Sequence, residues 1–61
     1  MDWATFLKVM IEDEKAAIKK YALAVEKADS KELKEVLERL RDEEEIHIDL
    51  LQLEIKRLQS K

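Results

Sequence analysis

Lys27-Ala28-Asp29-Ser30-Lys31-Glu32 lies near the middle of the 61-residue chain and reads as a break between two helices. Asp29 followed by Glu32 fits a capping box, in which each side chain satisfies a free backbone N–H of the other. Outward toward the N-terminus, the apolar residues Trp3, Leu7, Met10, Ala17, Tyr21, Ala24 and Ala28 recur at gaps close to three or four or their sums. That is the period of one helical face. Asp2 is a good N-cap for this segment. Outward toward the C-terminus, Leu33, Leu37, Leu40, Leu51, Ile55 and Leu58 form a second stripe. The expected elements are a helix over about 3–27, a turn over about 28–30 and a helix over about 31–59. A connection that short makes the helices antiparallel neighbours. The fold class expected is therefore all-α: a single antiparallel two-helix hairpin over residues 1–61.

The composition agrees and narrows the function classes. Charged residues make up 44% and apolar ones 46%, and Gly and Pro are absent. This balance belongs to amphipathic helices and coiled coils. No Cys is present, which excludes disulfides and thiolate metal sites. The net charge of −3 is weak, with both signs mixed along the chain, so nucleic acid and anionic membrane are poor partners. No apolar run has the length of a membrane span and no signal-peptide pattern opens the chain. A soluble, cytoplasmic protein is expected.

Further apolar residues flank both stripes: Phe6, Ile11, Ile18 and Val25 on the first, and Val36, Ile46, Ile48, Leu50 and Leu53 on the second. A lone hairpin cannot cover stripes that wide. A second copy is the simplest cover, and two hairpins make a four-helix bundle.

The stripes are interrupted at three places. Glu14 stands between Met10 and Ala17, and Glu44 and His47 stand between Leu40 and Leu51. These ionisable residues occupy positions where Leu is expected, and a buried unpaired carboxylate is costly. Glu14 lies fifteen residues before Asp29 and Glu44 fifteen after it. At about 1.5 Å of rise per residue, both reach the same level of a hairpin folded at that point. Glu44 and His47, three apart, share a helical face. Two hairpins then offer four carboxylates and two imidazoles. That is the ligand set of di-iron carboxylate bundles: a Glu from each of two helices and a Glu-x-x-His from each of two others. Taken one at a time, the same residues have plainer explanations. Glu44 belongs to the acidic run 42–45, which as a whole is a solvated surface. A single His on an apolar face is more often a packed one than a ligand, and Tyr21 is more often core than chemistry.

The stretches Ser30-Lys31-Glu32-Leu33-Lys34 and Arg41-Asp42-Glu43-Glu44-Glu45-Ile46-His47 resemble the rubrerythrin-like branch of the ferritin-like superfamily. They look most like the encapsulated ferritins, which are two-helix half-ferritins. The resemblance implies a ferroxidase centre built across two hairpins. Glu14 matches that group's first-helix ligand, Tyr21 its tyrosine two turns on, and Glu44 with His47 its Glu-x-x-His. Glu44 is then expected to bridge or chelate, Glu14 to cap one iron, and His47 to supply the nitrogen ligand. Tyr21 is expected to orient a ligand by a hydrogen bond.

The activity expected from the resemblance is oxidation of Fe(II) to Fe(III), with O2 or peroxide accepting the electrons. The cofactor is di-iron, for which zinc or manganese could substitute on ligand chemistry alone. A Cys-ligated centre that feeds a peroxidase cycle is absent, which favours ferroxidation. The partner is another copy, at least as a homodimer and, in the family pattern, as a ring of dimers. An encapsulin shell would place the protein inside a nanocompartment in the cytoplasm. Shell targeting in that group uses a C-terminal tail, and this chain ends at Lys61, so either the tail was removed or the protein does not enter a shell. In that group acidic residues flank the ligand Glu on both sides, whereas here Glu12 and Asp13 precede Glu14 and Ala16 follows it, so a plain dimer stands as the alternative to a ring. Two other functions fit the same residues. One is a non-catalytic dimerisation or interaction module. The other is metal storage or delivery without redox turnover.

Overall fold

The computed structural model describes residues 1–60 and contains two α-helices, α1 (Trp3–Lys27, 25 residues) and α2 (Lys31–Gln59, 29 residues). They pack side by side as an antiparallel hairpin in a rod of 48 × 14 × 13 Å. Among the described residues there is no strand, and no helix is long and apolar enough to cross a membrane.

Local chemistry explains where each helix starts and stops. The Asp2 side chain accepts the Thr5 backbone N–H at 3.2 Å, so Asp2 is the N-cap of α1. The expected capping box at Asp29 and Glu32 is not what opens α2. Ser30 is its N-cap: the hydroxyl Oγ accepts the Leu33 backbone N–H at 3.1 Å. A cap bonds the backbone two or three residues ahead. With Ser30 as the cap, that third position falls on Leu33, and the geometry of an Asp29–Glu32 box is lost. The turn needs no glycine. Ala28 leaves α1 in an extended conformation (φ −61°, ψ 131°), and Ser30 is extended as well (φ −141°, ψ 150°). Neither enters the left-handed region that would favour Gly.

The faces that meet are rotated from the stripes read off the sequence. Along α1, Ala4, Leu7, Ile11, Glu14, Ile18, Tyr21, Val25 and Ala28 are buried or half-buried. Along α2 the matching set is Leu37, Arg41, Glu44, Ile48, Leu51, Ile55 and Leu58. Both sets step by alternating threes and fours, the heptad spacing of a helix–helix seam. Leu7, Glu14 and Tyr21 belong both to this seam and to the stripe expected from sequence. Their companions differ: Ile11, Ile18 and Val25 lie in the seam, while Trp3 is exposed and Met10, Ala17 and Ala24 lie along its edge. On α2, Ile48 joins the seam and Leu33 and Leu40 are exposed. The branched side chains fill the narrow gap between two helices, and the smaller or more flexible ones border it. Trp3 and Phe6 are both exposed and meet edge to face, with ring centroids 5.7 Å apart.

The seam buries little. Among the described residues only Ile11 and Ile55, at 8% and 9% exposure, are buried, and no side chain is completely enclosed. The chain exposes 4929 Å². A compact monomer of 7.2 kDa exposes about 4100 Å². The excess, roughly 800 Å², reflects the elongated two-helix rod.

Candidate metal centre

Glu14 and Glu44 are seam residues, held at one level of the hairpin by the equal lengths of helix leading to the turn. Their neighbours along the seam are Ile11 and Ile18 on α1, and Arg41 and Ile48 on α2. The two carboxylates are therefore four-fifths buried, with side-chain exposures of 19% and 20%. His47 follows Glu44 by three residues and sits at the edge of the seam, 52% exposed.

The three side chains converge. His47 Nδ1 lies 3.3 Å from Glu14 Oε2 and 3.7 Å from Glu44 Oε1. One donor atom from each of the three lies within 4.8 Å of the others. A cation with ligand bonds of about 2.0–2.2 Å keeps its ligand atoms roughly 3.0–3.6 Å apart. The two spacings from His47, 3.3 and 3.7 Å, are close to those of a ligand set. Two carboxylates and an imidazole are donors suited to iron, zinc or manganese. Among the described residues no other His, Asp or Glu group gathers in this way.

The electrostatics carry the mark of crowded carboxylates. Glu44 has its pKa raised above the usual carboxylate value, first by its hydrogen bond with Glu14, then by desolvation and by the Glu14 charge. His47 opposes the shift and Glu43 adds to it. Like charges brought together in a poorly solvated place favour retention of a proton. A cation bound there would relieve the repulsion.

Tyr21 is not part of the convergence. It lies on the same seam seven residues beyond Glu14, about 10 Å along the helix axis. Among the described residues its hydroxyl makes no hydrogen bond to Glu14, Glu44 or His47. Arg41 is a neighbour that sequence patterning overlooked. It occupies a seam position one turn before Glu44, 30% exposed, and its Nη2 donates to Asp42 Oδ1 at 3.3 Å. The heptad spacing from Leu37 through Arg41 to Glu44 is the signal that would have found it.

The site opens on an apolar face. Phe6, Leu7, Met10, Leu50 and Leu51 line an open hollow of 380 Å³ together with Glu14 and His47. The hollow draws on both helices, so their apolar flanks lie on the same side of the hairpin. Leu33 and Leu40 stand two and one heptads before His47, and Ala17 and Ala24 one and two heptads after Met10. The face therefore continues from the hollow toward the turn. The opposite flank of α1 carries Lys8, Glu12, Lys15, Lys19 and Glu26.

Compared with protein-family models, curated proteins and solved structures, the chain matches none.

Proposed function

We propose that the chain is a ferroxidase-type oxidoreductase of ferritin-like architecture, in which two hairpins pair through their apolar faces into a four-helix bundle. The observation that carries this proposal is the convergence of Glu14, Glu44 and His47, with Glu14 and His47 lining the hollow in that face. Two copies contribute four carboxylates and two imidazoles, enough for two metal ions. Fe(II) is the substrate. Two Fe(II) give up one electron each, and O2 takes both electrons with two protons to form hydrogen peroxide. Glu14 and Glu44 supply negative charge that favours the ferric product, and His47 supplies a nitrogen donor through Nδ1. The surrounding Ile and Leu side chains keep bulk water from the carboxylates. Zinc or manganese in place of iron would hold the bundle together without this turnover.

A second function draws on one specific observation. His47 already pairs with Glu14 at 3.3 Å, so the three side chains can satisfy one another as a polar contact in a purely structural dimer. Aerobic Fe(II) titration of the metal-free protein separates the two. The ferroxidase account expects rapid Fe(III) absorbance saturating at about two irons per hairpin pair, lost in Glu44→Ala. Oxidation no faster than in buffer would leave the structural dimer, and iron bound without oxidation would leave storage or delivery.

A further inference from the structure

Arg41 is the Lys or Arg residue closest to Glu44 along α2, and the structure turns it away from the metal ligands. It stands in the seam three residues before Glu44, 30% exposed against 20% for Glu44. Side chains three apart on a helix are neighbours, and an Arg and a carboxylate at that spacing ordinarily pair. Here the guanidinium goes elsewhere. Its Nε and Nη2 both donate to Asp42 Oδ1, at 3.4 and 3.3 Å. Among the described residues no ion pair joins Arg41 to Glu44 or Glu14, whose carboxylates meet His47 instead.

Adjacent residues on a helix diverge by about 100°, so a pair between Arg41 and Asp42 draws the guanidinium sideways, out of the seam. Asp42 is 62% exposed, so water screens this pair more than it would screen one with Glu44. At the level of Arg41, counted from Asp29, α1 presents Ala17 and Ile18, whose side chains offer no acceptor. Without Asp42, the guanidinium has Glu44 in reach, with Glu38 and Glu45 as rivals at similar helical spacing. An Arg on Glu44 would occupy the oxygens that a metal ion uses and would repel the ion by its charge.

We propose that Asp42 is a positioning residue for the metal centre: it tethers Arg41 away from Glu44 and so leaves that carboxylate open to a divalent cation. This role rests on the reading of Glu14, Glu44 and His47 as a metal centre, and not on redox turnover there.

Zn(II) titration calorimetry of the metal-free full chain, at one fixed chain concentration, tests it. Asp42→Asn is expected to weaken Zn(II) binding about tenfold, because Arg41 moves onto Glu44. Glu43→Gln removes the same charge one residue away and leaves the tether in place, so its loss is expected to be about threefold or less. In an Arg41→Gln background the competitor is gone, and Asp42→Asn should then cost no more than Glu43→Gln does. Equal losses from Asp42→Asn with and without Arg41 would overturn the tether and leave the metal centre standing. So would a loss in Asp42→Asn no larger than that in Glu43→Gln, the result if Glu38 or Glu45 captured Arg41. A wild type that binds no Zn(II) would overturn both the metal centre and the tether.

Discussion

Glu44 is the candidate ligand with the most distinctive environment, because crowding with Glu14 makes it hold its proton more tightly than an ordinary carboxyl. Its pKa in the fold is raised above the ordinary value of 4.5, chiefly through Glu14. A carboxyl raised in this way contributes stability that is fully present below its unfolded pKa and is lost as pH rises through its folded one. The metal-free protein is therefore expected to lose part of its stability through this group as pH rises above about 4.5. Glu14, Glu43 and His47 are the titratable groups that act on it, with Arg41 one turn away on the seam. Tm measured against pH for the wild type and Glu44→Gln checks this. The wild type should fall relative to the variant over that rise, and parallel curves would contradict the assignment. The three candidate ligands were legible from sequence because each interrupts an apolar stripe, and equal distances from the turn place two of them together. Arg41 was not, because a cation inside the run Arg39 to Glu45 looks like surface until the seam is known.

At the scale of the element, two helices and a short antiparallel turn follow from periodicity and from the polar residues at their junction. The facing surfaces do not follow as directly. Leu7, Glu14 and Tyr21 repeat every seven residues and are compatible with two adjacent stripes, one completed by Met10, Ala17 and Ala24 and one by Ile11, Ile18 and Val25. Only packing against α2 selects the second, since branched side chains fill the seam better than alanine. The cap of α2 was ambiguous for a similar reason. Asp29 and Ser30 are both strong capping residues, and the actual bond is made by Ser30 to Leu33. Ser30→Ala is expected to cost about 1 kcal/mol in urea unfolding, and Asp29→Ala much less. The reverse order would return the cap to Asp29.

For the whole molecule, two of the described side chains are buried, each still slightly exposed, and the rod-like surface exceeds that of a compact monomer by roughly 800 Å². A lone hairpin of this kind is marginal, and the polar seam residues Glu14, Arg41 and Glu44 weaken its core further. The proposed pairing and metal binding would both offset this deficit. A ligand that binds the folded pair stabilises it by mass action, so metal and assembly should rise together. The direct measurement is native mass spectrometry of the metal-free chain before and after Zn(II), used as a redox-silent probe, with Glu14→Ala alongside. The account predicts one metal per chain, carried only by species of two or more chains, and its loss in the variant. Metal on single chains, or uptake unchanged by Glu14→Ala, would contradict a shared centre built from Glu14, Glu44 and His47.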